Sequence, residues 1–139
     1  MHNFGITSGL KAYIDHIVRA GRTFAFSDAG PVGLVKRQKL VVITSRGSDY
    51  SQGSPLVALD YQENHLRSIF GFIGMTDVTF MHCQGTAVSE EIRNVAVAKV
   101  RSFIASNAQL INASAEKQPG YKFRASVIAA AGVGCHLTL

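Results

Sequence analysis

Two short segments of the sequence carry groups that suit the hydrogen-bonding edge of a flat heterocycle. Both combine backbone N–H groups with small, hydroxyl or amide side chains; the first comprises Met1, His2, Asn3 and Phe4, and the second comprises Ser45, Arg46, Gly47 and Ser48. Gly47 lacks a Cβ atom, so the backbone there can approach a planar ring closely. A Ser-Arg-Gly sequence is also common in ordinary turns after a strand, and spacing alone leaves both interpretations open.

The histidines form no recognisable catalytic pattern. We expect His16 to be a solvated side chain and His65, with Glu63 nearby, to have a surface role. His82 and His136 have no Ser, Cys or Asp partner at a recognisable spacing. The sequence contains no nucleophile elbow, no H-E-x-x-H zinc motif and no phosphate-binding P-loop motif. It therefore indicates no catalytic residue of these classes.

The two cysteines, Cys83 and Cys135, are far apart and belong to no C-x-x-C pair. A metal site or a disulfide framework is therefore not expected. Cys83 follows an apolar strand pattern, which favours a buried and unreactive thiol.

The composition is that of a globular domain. The chain has 139 residues, of which 47% are hydrophobic and 17% charged. Its formal net charge of +5 permits weak attraction to anions, including phosphorylated cofactors. The basic residues are scattered, with no Lys/Arg run longer than Lys36-Arg37, so nucleic-acid binding is not expected. No apolar run is long enough for a membrane span, and no signal-peptide layout opens the sequence, so we expect a cytoplasmic protein.

The first element that the pattern predicts is a helix over residues 8–20. Thr7 or Ser8 can cap its start, since a hydroxyl accepts from the free N–H groups of the first turn, and Gly21 can end it. The apolar residues recur at helical spacing: Leu10, Tyr13, Ile14, Ile17 and Val18. Residues 22–37 are expected to be irregular, with an extended stretch at 23–26 and a turn at 27–31.

The remaining pattern alternates strands with helices. Residues 40–44 form a continuous apolar run, which predicts a strand buried on both faces, as in a parallel sheet. Pro55 fits the first turn of a second helix, where its missing N–H costs nothing. A second strand follows at 77–81, and a third helix is predicted from Ser89 to about Leu110.

This order of helix, strand, helix, strand and helix predicts an α/β fold with right-handed crossovers and parallel pairing. Because two parallel strands are too few for a stable sheet of this kind, we expect preceding strands to be missing. Residues 113–139 do not fit the pattern: a polar stretch with Pro119-Gly120 leads to a small apolar segment. We therefore divide the chain into residues 1–112, the part with the α/β pattern, and an extra tail at 113–139, which either lacks order or covers exposed surface.

Four spaced motifs resemble those of one enzyme family. Residues 1–15 are similar to its M-Y-N-F-x-I-P-S-x-L-K-x-W/Y-I-D segment, and residues 19–34 to its R-A-G-x-T-F…G-P-x-G-L stretch. Residues 44–48 resemble its T-S-R-G-G, and residues 71–78 its G-F-I-G-I-T-D-V. By these motifs the chain resembles the C-terminal part of the FMN-dependent NADH-azoreductases, which are flavodoxin-like quinone and azo-compound reductases.

The resemblance implies a parallel sheet with helices on both faces, FMN as cofactor, NADH as electron donor, and a quinone or azo compound as acceptor. It implies that residues 1–4 contact the isoalloxazine ring, with Asn3 bonded to the ring edge, and that residues 45–48 hold its other side. Phe26 and Phe72 would form an aromatic wall over the flavin across a homodimer interface. No catalytic triad is implied, because the flavin carries the electrons.

The sequence departs from the family pattern at three site positions and in length. His2 and Phe26 each stand where the family has Tyr, and Ser48 stands where it has Gly. The family's phosphate-binding loop precedes the matched region, so roughly 90 residues would be absent, about three strands and two helices. Such a chain is expected to hold FMN poorly. Two alternatives therefore remain: an inactive truncated product, and a small α/β binding or oligomerisation module without a cofactor.

Overall fold

A computed structural model describes residues 1–113 and 128–130 of the chain. In chain order the elements are α1 (Ser8–Ile17), β1 (Phe24–Ser27), β2 (Gly30–Gly33), β3 (Lys39–Ser45), a 3₁₀ turn (Val57–Leu59), α2 (Tyr61–Phe72), β4 (Asp77–Cys83), α3 (Glu90–Ala113) and β5 (Ile128–Ala130). The predicted order of helix, strand, helix, strand and helix is present as α1, β3, α2, β4 and α3, and the structure adds a hairpin, β1 and β2, after α1 and a short strand, β5, after α3.

The parallel pair of β3 and β4 is the centre of the fold. The two strands pair in register over their whole length, from Lys39 opposite Asp77 to Ser45 opposite Cys83. Most of β3 is buried, as expected for a strand covered on both faces. The predicted α/β class and parallel pairing are therefore confirmed.

Helices cover both faces of this pair. On one face α1 and α2 enclose the larger apolar cluster, whose buried members are Ile14, Leu40, Val42, Leu66, Phe70, Ile73 and Met75. On the other face α3 packs through Val100 against Ile43 and Cys83. Cys83 is 2% exposed, so its predicted burial is confirmed. Cys135 lies outside the described residues.

Helix α1 starts as predicted but ends earlier. The Thr7 hydroxyl accepts a hydrogen bond from the N–H of Leu10, which caps the first turn. The predicted end at Gly21 is wrong, since the helix stops at Ile17. The Thr23 hydroxyl donates to the Ile17 carbonyl at 2.8 Å and so satisfies a group that a longer helix would have used. Gly21 instead adopts a φ of +73° in the turn that follows.

Within residues 22–37, which were predicted to be irregular, residues 24–33 form a hairpin, whereas residues 34–37 belong to no helix or strand. Strand β1 pairs antiparallel with β2, from Phe24 opposite Gly33 to Ser27 opposite Gly30. The predicted turn at 27–31 is the tip of this hairpin. The second strand escapes sequence analysis because Gly-Pro-Val-Gly has low strand propensity. Pro31 is tolerated since both strands of a two-stranded ribbon are edges.

The start of α2 lies six residues after the predicted position. Pro55 precedes the 3₁₀ turn, and the helix begins at Tyr61 with Asp60 as its cap. A carboxylate oxygen of Asp60 accepts from the N–H of Glu63 at 3.2 Å. The carboxylate cap satisfies an orphan N–H of the first turn, which proline at the start of a helix cannot do.

Strand β5 pairs parallel with β3 on the side opposite β4, so the sheet order is β4-β3-β5. It lies within the tail predicted at 113–139, most of which falls outside the described residues. In the part of the chain that the structure describes, no helix is long and apolar enough to cross a membrane.

The contact between the hairpin and the end of α2 has no room for a side chain at Gly33. A Cβ atom there would lie 2.2 Å from the Gly74 nitrogen, against backbone that cannot move away cheaply. The Val35 N–H donates to the Ile73 carbonyl at 2.9 Å in the same contact. We expect Gly33→Ala to lower the free energy of unfolding by about 1–3 kcal/mol in urea denaturation.

Gly9→Ala is the matched control for this change. A Cβ atom at Gly9 in helix α1 meets nothing within 4 Å. Alanine is the better helix former, so this variant is expected to be as stable as the wild type or more stable. Equal unfolding curves for the two variants would contradict the close contact between Gly33 and Gly74.

Candidate functional site

The two segments singled out in the sequence lie side by side. The backbone nitrogen of Met1 donates to the carbonyl of Ser45. The rings of Phe4 and Tyr50 meet edge to face with centroids 6.5 Å apart. Segment 45–48 continues directly from the carboxyl end of β3, where open α/β sheets bind their ligands. Residues 1–5 and 45–50 therefore form one continuous surface at that end of the sheet.

Residues 2–5 form a tight turn with an unusual backbone. His2 and Gly5 exchange two backbone hydrogen bonds, at 3.1 and 2.9 Å. Asn3 and Phe4 between them have φ values of 44° and 63°. Asn tolerates this left-handed region, but for Phe it costs about 1–2 kcal/mol. Backbone strain of this kind is concentrated at functional sites, where the surrounding structure maintains it.

The second segment is fastened through its carbonyl groups. The carbonyls of Arg46, Gly47 and Ser48 accept hydrogen bonds of 2.9–3.1 Å from backbone N–H groups of residues 85–87, and the Arg46 N–H donates to the Cys83 carbonyl. Among the described residues, the N–H groups of Gly47 and Ser48 have no partner. The same holds for the N–H groups of Asn3 and Phe4 in the other segment. Adjacent unpaired N–H groups suit an acceptor-rich ligand edge.

The fold itself does not require glycine at position 47. A Cβ atom there would lie 3.4 Å from the Cβ of Ala87, an ordinary contact distance, and the φ of Gly47 is not positive. Neither packing nor backbone conformation among the described residues explains the glycine. A close approach by a ligand ring would explain it.

The side chain of Arg46 turns away from the surface. It is 1% exposed, and its Nη1 lies 2.8 Å from an oxygen of Asp60. Burial lowers the pKa of Arg46, while the charge and hydrogen bond of Asp60 oppose that shift. The side chain therefore lies beneath segment 45–48, and only the backbone of Arg46 belongs to the ligand-facing candidates.

His82 belongs to a partly buried hydrogen-bonded chain whose other members, Thr44 and Glu63, are not among the Ser, Cys or Asp partners that the sequence analysis considered. Its Nδ1 lies 2.7 Å from the Thr44 hydroxyl and its Nε2 lies 2.6 Å from a Glu63 oxygen. The other Glu63 oxygen accepts from Arg67 at 2.7 Å. Glu63 therefore pairs with His82 and Arg67. His65, for which a surface role is expected from the sequence, is half-buried. Thr44 lies opposite His82 in the parallel register, which no spacing along one strand reveals.

The protonation states in this chain follow from its surroundings. Burial and the charge of Arg46 lower the pKa of His82, so the neutral ring is favoured. Burial tends to raise the pKa of Glu63, but its hydrogen bonds to His82 and Arg67 outweigh burial and lower it. Neutral His82 then donates from Nε2 to the Glu63 carboxylate and accepts at Nδ1 from Thr44.

The proposed wall residues form a separate aromatic patch. Phe24 links them, with its ring centroid 5.5 Å from that of Phe26 and 4.7 Å from that of Phe72. Phe26 is 75% exposed and Phe72 37%. Within the described part of the chain, no ring contact or hydrogen bond joins this patch to residues 1–5 or 45–48.

Comparison with known proteins identifies the family of the chain. A family profile described as "Flavodoxin-like fold" matches residues 1–107. The chain belongs to this family. It is 49% identical over 104 residues to an FMN-dependent NADH:quinone oxidoreductase of Herminiimonas arsenicoxydans, a match that covers 75% of the chain and 50% of the relative. A second such oxidoreductase, from Bradyrhizobium sp., is 45% identical over 105 residues and is covered to 52%.

Among solved structures, the fold is similar to an FMN-dependent NADH-azoreductase from Bacillus anthracis in complex with FMN. The TM-score is 0.69 at 33% sequence identity, and the match covers 78% of this chain and 52% of the azoreductase. The resemblance stated from the motifs is therefore confirmed. The chain spans about half the length of the relatives that it matches.

The lowered pKa of His82 predicts a loss of stability in mild acid. The unfolded chain binds a proton on this group near its ordinary pKa of 6.5, whereas the folded chain does so only at lower pH. Below about pH 7 the unfolded state therefore binds more protons than the folded state. The free energy of unfolding decreases as the pH is lowered through this range. Glu63 extends this loss below its ordinary pKa of 4.5.

His82→Gln, which keeps an N–H donor for Glu63 but does not titrate, is expected to flatten the slope between pH 7 and pH 5.5. Urea unfolding at these pH values measures it. His16→Asn removes a histidine at an exposed position of α1 and is the matched control. A wild-type slope in His82→Gln would show that this histidine does not cause the acid sensitivity.

Proposed function

We propose that this chain supplies the flavin-ring site of an FMN-dependent oxidoreductase that passes electrons from NADH to quinones or azo compounds. One observation carries the proposal: residues 1–4 and 45–48 meet at the carboxyl end of the parallel pair with unpaired N–H groups in both segments. The names of the relatives support the choice of cofactor, donor and acceptor class.

The residues present fit the edge of a flavin ring. That edge carries carbonyl and nitrogen acceptors, and the N–H groups of Gly47 and Ser48 provide donors without a protein partner among the described residues. The Asn3 amide adds a further donor and acceptor in the adjoining segment. The absence of a side chain at Gly47 leaves room for a ring to lie against the backbone.

FMN, when bound, supplies the two-electron chemistry between NADH and the acceptor. The protein's part is to bind and orient the ring. The strained turn at Asn3 and Phe4 holds one set of donors, and the loop fastened to residues 85–87 holds the other. No side-chain acid or base is required by this proposal, and His82 and Thr44 lie beneath the site rather than in it.

We also propose that the chain forms a homodimer, in which the aromatic patch of Phe24, Phe26 and Phe72 contacts the second copy. Its support is the 75% exposure of Phe26 at the end of a hairpin that is fixed to α2. We propose a cytoplasmic location, which suits an NADH-dependent reaction, and no nucleic-acid or membrane partner. The tail at 113–139 is proposed as an added element, supported by the pairing of β5 along the edge of β3.

Titration of the purified chain with flavin tests the ring site. Because the proposed contacts are all made to the ring, riboflavin is expected to bind about as tightly as FMN. Gly47→Val is expected to raise the Kd for both by about tenfold or more, since side-chain atoms enter the space of the ring, a loss of about 1.4 kcal/mol. Flavin fluorescence quenching and a shifted visible absorption band are the measurements.

Two further variants distinguish the loss of a flavin contact from a disturbance of the fold. Asn3→Gly keeps a residue that accepts a positive φ but removes the amide, so flavin affinity falls by about 0.5–1.5 kcal/mol while the turn is retained. Gly9→Ala lies on the exposed side of α1 and is expected to bind flavin like the wild type. A wild-type chain that leaves both flavins unperturbed would favour the cofactor-free binding module instead.

The dimer is tested at the aromatic patch. Phe26→Ser removes the most exposed ring of the patch, so a dimer seen by sedimentation at micromolar concentration is expected to dissociate at least about tenfold more readily. Tyr61→Ser removes a ring that is 61% exposed on α2 and is the matched control. A dimer unaffected by Phe26→Ser would place the subunit contact elsewhere.

A further inference from the structure

A buried ion pair lies beneath the proposed ring site. Arg46 and Asp60 meet at 2.8 Å with 1% and 13% of their side chains exposed. The pairing uses one nitrogen of the guanidinium, and its Nε and Nη2 are buried without a partner among the described residues. A buried charge with unsatisfied donors is costly, and apolar residues of similar volume often give equal or greater stability. Stability alone therefore does not account for Arg46.

The two oxygens of Asp60 have separate partners. One accepts from the N–H of Glu63 and caps helix α2, while the other binds the guanidinium of Arg46. Asp60 thereby ties segment 45–48 to the first turn of α2. A change in the position of this turn would move the segment with it.

The same turn of α2 also holds the first segment. Gln62 is 0% exposed, and its Nε2 donates to the carbonyl of Gly5 at 3.3 Å, across 57 residues of sequence. Gly5 closes the strained turn that contains Asn3 and Phe4. Two residues of one helical turn, Asp60 and Gln62, thus reach the two segments separately.

We propose that Asp60 and Gln62, with Arg46, are positioning residues that set the separation of the two ring-binding segments. This inference rests on the proposed function of those segments. The three side chains are almost fully buried, so they act through the backbone of residues 1–5 and 45–48 rather than by touching the ring. The first turn of α2 is then a rigid spacer between two loops that are distant in sequence.

The test uses the full chain and riboflavin as the probe. Asp60→Asn keeps a helix-capping oxygen but removes the charge that holds Arg46. Gln62→Leu has similar volume but cannot bond Gly5. We expect each variant to raise the Kd for riboflavin at least fivefold and to alter the visible absorption band of the bound ring. Tyr61→Ser, at a position 61% exposed on the same helix turn, is the control and is expected to bind like the wild type.

Amide hydrogen exchange without flavin provides a second readout. Gln62→Leu is expected to raise exchange at Gly5 and leave the amides of residues 85–87 unchanged, whereas Asp60→Asn is expected to do the reverse. A role that is merely structural would raise exchange in both places together. The double variant Arg46→Met/Asp60→Asn sharpens this contrast: it keeps the capping oxygen and removes the unpaired charge, so it is expected to regain thermal stability relative to Asp60→Asn without regaining riboflavin affinity.

The possible outcomes distinguish failure of the proposed function from failure of the positioning role. If the wild-type chain leaves the riboflavin spectrum unchanged, the proposed function fails, and the inference falls with it. If the wild type binds riboflavin, and Asp60→Asn and Gln62→Leu bind it equally well, the proposed function stands and the positioning role is overturned. Recovery of affinity together with stability in the double variant would also overturn it.

Discussion

The in-register pairing of β3 with β4 determines where every other part of the site lies. It sets Ser45 opposite Cys83, so both strands end at the same level and their following loops begin side by side. Backbone hydrogen bonds can then connect residues 46–48 to residues 85–87. A shift of one residue would turn the side chains of β3 to the opposite faces and separate these loops.

The polar side chains beneath the site cost free energy to bury, unlike the apolar side chains of the core on either face of the sheet. Thr44 in β3, Arg46 in the loop after it and Gln62 in α2 are each at most 1% exposed, at positions where an apolar side chain would cost less to bury. The Thr44–His82–Glu63 chain is satisfied at each of its links, whereas Arg46 and Gln62 retain unpaired atoms. The unpaired buried atoms and the backbone strain at Phe4 both destabilise the fold. Both occur where two loops that are distant in sequence are held together.

The elements that are determined by neighbouring residues could be predicted from the sequence. The continuous apolar run of β3 and the hydroxyl of Thr7 report burial and capping within a few residues, and both predictions hold. The hairpin partner at residues 30–33 was missed because its composition is that of a turn. The pairings of His82 and of Arg46 were missed for another reason: their partners become neighbours only through register or the packing of a helix against a loop. Such contacts leave no periodic trace along the chain.

The candidate site depends on contacts that are confined to one half of the relatives' length. Residues 1–5, residues 45–50 and the first turn of α2 all lie within the matched region, and each is fixed by groups inside it. The geometry of the proposed ring site is therefore fixed by contacts within this half. In the proposed function, residues 1–4 and 45–48 bind the flavin ring, whereas the resemblance puts phosphate binding in a loop before the matched region, so the two kinds of recognition are physically separable.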